Sequence, residues 1–258
     1  MTLRTIALTL WSGAVVLAVT AAIASPHTLD RTVQNDAFGP GEHLQFSVGY
    51  GFIDAGSATM QVCEVVDVGG RPAFKIMTTA MSNSVFDAFY PVRDTVLSLT
   101  DARGLFSWRY EKHMREGDYK KDQVVAFDQH QGIAVDGKDS VDVPEYVQDV
   151  LSALYYVRAL PLKVGQTIIV PNLTDGKNYG LEVRVLEKEK IKTPAGEFDC
   201  LKVEPLLQAA GIFKHEGRIT VWMTDDRLHM PVLMKSKIVV GAIHAELTGY
   251  KLGELWED

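Results

Sequence analysis

From residue 44 onward, the apolar residues of this chain recur at every second position. Leu44, Phe46, Val48 and Tyr50 alternate with His43, Gln45, Ser47 and Gly49. Successive side chains on a strand point to opposite faces, so this pattern buries one face and leaves the other in water. A helix repeats near every fourth residue and would scatter the same side chains around its axis.

The pattern returns along the chain. Ala58 to Val62, Phe74 to Ile76, Val92 to Thr100, Ser107 to Met114 and Tyr119 to Asp128 read as strands in the first half. Thr167 to Val170, Leu181 to Glu189, Phe198 to Pro205, Gly217 to Thr224, Val232 to Val240 and Ala242 to Leu252 read so in the second. Turn residues separate them: Gly51 to Gly56, Gly69-Gly70, Asp101 to Gly104, Glu116-Gly117-Asp118, Thr174 to Asn178, Thr193 to Gly196 and Thr224 to Asp226. A strand about every ten residues, punctuated by Gly and Asp, predicts a mainly β fold. The expected architecture is one large antiparallel sheet, curved or curled into an open barrel, because curling or covering a sheet protects its edges.

One segment departs from period two. Val147, Val150, Leu151 and Leu154 stand at helical spacing and predict a helix over about 144–160. Pro144 suits its first turn, Asp142 is the candidate cap and Pro161 the stop.

The N-terminus carries an address. Arg4 precedes an almost wholly apolar run from Ile6 to Ile23, and Ala22-Ile23-Ala24 offers small residues before Ser25. Residues 1–24 read as a signal peptide that engages the membrane transiently and is removed. An uncleaved anchor would leave the domain on the same side of the membrane. No cysteine follows the run, so lipid attachment there is excluded. Either way the expected location is outside the cytoplasm. Polar residues 25–38 read as a flexible leader, and residues 39–258 as a single β domain opening at Gly39-Pro40-Gly41-Glu42.

The formal charge of −7 becomes one unit more negative without Arg4. An acidic domain argues against nucleic acid and against docking on anionic lipid by charge alone. Cys63 and Cys200 both fall in strand-like stretches. Export permits a disulfide between them, and two buried free thiols are the other reading. Neither has a histidine at ligand spacing, so no metal site is expected.

No motif carries catalysis. Gly132 to Lys138 matches the start of a phosphate loop, but Asp139 stands where Ser or Thr is needed, so it reads as a hairpin turn. Asp225-Asp226 reads first as a turn whose carboxylates accept backbone N–H groups. Methionines spread over many strands suit surfaces that adapt to varied apolar shapes. With the aromatic residues they nominate a lining of Leu44, Phe46, Tyr50, Met60, Trp108, Leu154, Trp222 and Met234 if the sheet encloses a cavity. An ordinary packed core is the competing reading.

Several segments together carry a resemblance. They are Phe38 to Tyr50, Thr193 to Cys200, Val221 to Asp226 with Met230-Pro231-Val232, and Gly241 to Leu247. The chain resembles the DUF3108 family of exported bacterial proteins, a domain of unknown function. The resemblance spans nearly the whole mature chain, implies a Gram-negative periplasmic setting and brings no catalytic residues. The run from Trp222 to Asp225, with Pro231 and a strand ending in Gly, is also similar to the last strands of LolA-like carriers. That similarity implies a curved, incomplete barrel whose helix covers a cavity for acyl chains.

The expectation is a non-enzymatic protein, without cofactor, that binds a lipid or another apolar envelope component. An envelope scaffold binding a protein partner through a strand edge is the alternative. A hydrolase using Asp225, Asp226 or Asp54 is the third reading, and it needs carboxylates converging in one cleft. The sequence leaves the oligomeric state open.

Overall fold

A computed structural model describes residues 28–206, 219–237 and 242–257. The expected signal peptide, residues 1–24, and the first three residues of the expected leader lie outside the described residues. The first half contributes β1 (His43–Tyr50), β2 (Ile53–Val68), β3 (Arg71–Ser82), the short helix α1 (Ser84–Asp87), β4 (Arg93–Asp101), β5 (Ser107–Glu116), β6 (Tyr119–Asp128), β7 (Ile133–Asp136) and β8 (Asp139–Asp142). Helix α2 (Val150–Arg158) follows. The second half contributes β9 (Thr167–Thr174), β10 (Lys177–Thr193), β11 (Gly196–Leu206), β12 (Ile219–Thr224), β13 (Pro231–Lys237) and β14 (Ala242–Lys251). The expected β class holds; the start of the expected strand from Gly217 to Thr224 and the end of that from Val232 to Val240 lie outside the described residues. β2 starts earlier than the sequence implied, because Tyr50 pairs with Ile53 and the turn shrinks to Gly51-Phe52.

All the strands form one antiparallel sheet in the order β8-β7-β6-β5-β4-β3-β2-β1-β14-β13-β12-β11-β10-β9. Each half is a meander, and pairing of β1 with β14 joins the halves. Bulges bend strands and sharpen their twist. One falls at Cys63, since Val62 pairs with Ile76 and Glu64 with Lys75. Others fall near Phe46, Gly49, Thr100, Leu186 and Met223.

The edge strands β8 and β9 are sequence neighbours, and the segment between them crosses the seam. Gln148 bridges in parallel to Asn172. Gln148 N–H donates to Pro171 O at 2.8 Å, and Leu173 N–H donates back to Gln148 O at 2.9 Å. On the other side Ser107 N–H donates to Val147 O at 3.2 Å. Val147 itself is buried with Val125, Phe127, Ala134, Val143 and Leu173. The seam is thereby sealed at one end of the curl.

That same end is plugged by residues 28–38 and by the segment that follows β14. Residues 28–38 are not a flexible leader. Val33 N–H donates to Arg103 O at 2.8 Å, and Arg31 Nε donates to Gly104 O at 2.8 Å. Phe38 is buried, 4.8 Å from the Tyr155 ring and 5.6 Å from that of Phe74. The segment has no regular secondary structure, so its order comes from tertiary packing that no periodicity announces. Trp256 lies 6.0 Å from Phe74, and Glu254 N–H donates to Pro40 O at 2.9 Å. The backbones meet so closely that a Cβ on Gly39 would stand 1.8 Å from Glu254 O. Gly39→Ala is therefore expected to lower stability by about 1–3 kcal/mol, as overpacking does. Thermal unfolding checks this, and an unchanged midpoint would mean the C-terminal segment is not seated there.

Helix α2 is shorter than expected and is capped elsewhere. Tyr146 has φ 58, outside the helical region, and the Val147–Gln148 backbone is committed to the seam. The cap is Asp149, not Asp142. Its Oδ1 accepts from Leu151 N–H and Ser152 N–H, both at 2.8 Å. Its Oδ2 accepts from Ser98 Oγ at 2.6 Å and Ser107 Oγ at 2.7 Å. The helix thus hangs from the inner face of β4 and β5. Leu151 and Tyr155 pack with Leu44, Phe46, Met60, Phe74 and Ile76, while Ala153 and Val157 pack with Val183, Leu201, Val203, Val221 and Met223.

Candidate binding cavity

The inner face can be followed across the sheet by its pairings. Val62, Ile76, Ser98, Tyr110, Val125, Asp136 and Asp139 are successive cross-strand partners. One row towards the other end, Met60 pairs with Thr78, Thr78 with Val96, and Val96 with Lys112. Further out, Phe46 pairs with Ala58, and Val48 with Ala245, which pairs with Met234. Along this face burial fades from complete at Val62 and Ile76 to partial at Ala58, Thr78, Val96, Met234 and Ala245. The curl is filled at the plugged end and open at the other.

Where the two sheet edges face one another, beside the Val147 cluster and extending towards the open end, lies a cavity of about 420 Å³. Its apolar wall comes from Val125, Phe127, Ala134, Val141, Val150 and Leu173, with Tyr110 beside them. Its polar wall comes from Lys112, Lys121, Asp122, Gln123, Asp136, Asp139 and Asp175. Lys121 Nζ reaches Asp175 Oδ1 at 3.4 Å, an ion pair between β6 and the β9–β10 turn. Asn178 Nδ2 donates to Asp142 O at 2.6 Å across the same seam.

Charge is organised around the cavity. His113 and Arg115 hold the Asp122 carboxyl below the usual carboxylate range. Gln123 Nε2 donates to Asp136 Oδ2 at 2.6 Å. Burial, helped by the negative charges of Asp149 and Asp175, pushes the Tyr110 phenol well above its ordinary value, so it stays neutral. Burial also pushes the Asp149 carboxyl up, against four donors that favour its ionised form. A cavity with one apolar wall and one charged wall suits an amphiphilic molecule.

The structure redistributes the residues nominated from sequence. Leu44, Phe46 and Met60 are buried in the packed core. Trp222 lies on the opposite face of β12 from Val221 and Met223. Its indole N–H donates to Glu189 Oε2 at 2.6 Å, and the ammonium groups of Lys202 and Lys235 sit over its ring. Trp108 donates to Asp101 Oδ2 at 3.2 Å and packs on Phe106 at the plugged end. Leu154 and Met234 are partly buried against both main clusters, and Tyr50 is partly buried at the open end of β1. None of the eight lines the 420 Å³ cavity.

Other expectations resolve as follows. Cys63 and Cys200 are free thiols, on strands separated by β1, β14, β13 and β12. Residues 133–142 form the β7–β8 hairpin in place of a phosphate loop. Asp226 Oδ1 accepts from Thr224 Oγ1 at 2.7 Å and Leu228 N–H at 2.9 Å, as a turn carboxylate does. Asp225 pairs with Lys188 at 2.5 Å. Asp54 begins β2 at the opposite end of the molecule, so the three carboxylates do not converge.

Nothing in the local pattern marks Tyr110, Lys112, Lys121 and Leu173 as neighbours. Lysines facing inward interrupt the apolar alternation, and the curl that brings β5–β8 against β9 is not local. A family model described as a protein of unknown function (DUF3108) matches residues 45–248. The chain belongs to the DUF3108 family. No curated protein matches this DUF3108 chain. A β-barrel-like protein of the DUF1849 family from Brucella abortus aligns with a TM-score of 0.51 at 10% identity, covering 84% of this chain and 99% of that one. At that identity the likeness concerns the fold. A candidate lipoprotein from Parabacteroides distasonis aligns with a TM-score of 0.38 at 12% identity, covering 86% of this chain and 100% of its own. A candidate exported protein of YmcC-like fold from Bacteroides fragilis gives 0.36 at 12% identity, covering 85% and 99%. Among the described residues of the DUF3108 chain, no helix is long and apolar enough to cross a membrane.

Proposed function

We propose that this DUF3108 protein is exported to the periplasm of a Gram-negative cell. There it takes an acyl chain or another apolar envelope component into the open half of its sheet, without catalysis. The observation that carries the reading is the unfinished core. Ala58, Val96, Met234 and Ala245 continue the buried face but are only partly covered. A cavity of about 420 Å³ with an apolar wall lies on the same inner face, reached through Lys112, the cross-strand partner of Val96, and falls within the range of about 300–1,000 Å³ seen for small-molecule sites. Each methylene buried there would contribute about 0.8 kcal/mol. The plug at the other end supplies the stability that an open half cannot. The signal-like N-terminus supports the location.

Native mass spectrometry of the protein purified from periplasm, with organic extraction of anything bound, tests this. A co-purifying lipid is the expected result. A ligand-free mass, together with no uptake of a fluorescent fatty acid, overturns it. Val150, the first residue of α2, lines the cavity. Val150→Glu is expected to weaken fatty-acid uptake at least about tenfold, since a charge would sit against the apolar wall of the cavity. Unchanged affinity in a variant with native circular dichroism would remove α2 from the site.

A further inference from the structure

The open end of the curl carries apolar side chains that the fold makes no effort to hide. We infer that the β1–β2 turn and the α1 segment form a lip that inserts into the interfacial region of a lipid bilayer. This rests on the lipid-binding reading above, for which the lip would bring the mouth of the sheet to the membrane.

The antiparallel order puts the end of β1, the start of β2, the end of β3 and the start of β4 on the same side as the mouth. At this place Phe52 is 109% exposed and Phe89 is 85% exposed. Ile53, Met81, Val85 and Tyr90 are exposed beside them. A scattered exposed hydrophobe needs no explanation, whereas a cluster around an opening does.

The lip is held by its polar groups with its apolar ones outward. Asn83 caps α1, its Oδ1 accepting from Val85 and Phe86 N–H groups at 3.1 and 3.0 Å. The same side chain donates through Nδ2 to Asp54 O at 2.8 Å, and Asn83 N–H donates to Ala55 O at 2.9 Å. Ser82 Oγ donates to Asp87 Oδ1 at 2.5 Å, and Arg93 Nη2 closes on Asp87 Oδ2 at 2.6 Å. The Tyr90 ring lies so close to Gly117 that a Cβ there would stand 2.9 Å from it. These contacts fix a short segment that leaves Phe89 with nothing to pack on.

Charge distinguishes a bilayer from other occupants. From Met81 to Val92 the one charged residue is Asp87, and Arg93 neutralises it; the β1–β2 side adds one exposed carboxylate, Asp54, whose Oδ1 accepts from Gly56 N–H at 3.3 Å. The other arc of the mouth, made by the β5–β6, β7–β8 and β9–β10 turns, exposes Asp118, Lys120, Lys138, Asp175 and Lys177. A mainly apolar arc with a single exposed carboxylate, facing a mixed-charge arc, is the segregation that lets a protein lie in a membrane interface without crossing it. The mixed signs on the second arc suit neutral, zwitterionic headgroups.

The test is flotation of the full chain, in the form that expression yields, with phosphatidylcholine vesicles, comparing it with Phe52→Ser/Phe89→Ser. The double variant is expected to bind at least about tenfold more weakly, because two phenyl groups lose their apolar contact. Binding of the parent should change little with salt, since apolar insertion is not screened. Uptake of a fluorescent fatty acid from solution should be the same in both, which separates a failed lip from a failed lipid site. Equal flotation of parent and variant overturns the proposal. So does a parent that fails to float, or one whose phenylalanines drive self-association in its place.

Discussion

Glu42→Ala is expected to destabilise the protein by about 3–5 kcal/mol, the range for removing one partner of a buried ion pair. Arg158 and Glu42 are 0% and 1% exposed, and both guanidinium nitrogens of the pair reach the carboxylate at 2.7 Å. Arg158 also donates to Leu228 O at 3.3 Å and to Ala37 O at 3.5 Å, and its guanidinium lies 4.9 Å from the Tyr155 ring. It therefore ties the last turn of α2 to the β12–β13 loop and to the N-terminal segment. Without the carboxylate, a buried cation is left with carbonyls and aromatic faces, which do not repay its desolvation. Urea unfolding measures the loss. A cost below about 1 kcal/mol, the range of exposed pairs, would mean that water reaches the pair. Glu42→Leu with Arg158→Met should recover most of the stability, because an apolar pair of similar volume removes the stranded charge.

Asp149→Ala is expected to cost about 2–4 kcal/mol. The helix loses its cap, worth about 1 kcal/mol. Ser98 and Ser107, both fully buried, also lose the carboxylate they donate to. An orphaned buried polar group costs about 1–3 kcal/mol. Asp149→Asn should be much milder, because Asn caps nearly as well and the two hydroxyls can reorient as acceptors for its amide N–H groups. Equal losses for the Ala and Asn variants would show that the charge, and not the hydrogen-bond geometry, holds α2 in the curl. Far-ultraviolet dichroism at low urea would show whether α2 loosens before the sheet, as an element hung from two serines should.

Much of the sheet was written in the alternation itself. Leu44 and Phe46 pointing one way, with Gln45 between them, leave a chain few choices beyond a half-buried strand. The turn residues at Gly69-Gly70 and Gly117 set where each strand stops. Family membership was legible in the same segments, since turns and strand ends repeat with recognisable residues. The helix was half legible: Leu151 and Leu154 gave its face, but its start was hidden. Tyr146 at φ 58 and the pairing of Gln148 with Asn172 stop the helix from the N-terminal side, and neither has a local signature.

The candidate cavity was not legible. Alternation says that a residue faces in, but not whether anything stands opposite it. Met60 and Val96 belong to the same face, yet the first is buried and the second is only partly covered. Phe38 and Trp256 stand far apart in sequence, and both pack on Phe74. Sequence alone therefore determined a periodic, antiparallel β chain with an export-like N-terminus, because strand period and turn chemistry are short-range properties. Tertiary structure decided which end of the curl is plugged, which edges meet and where space remains, because those depend on long-range packing that no local window contains.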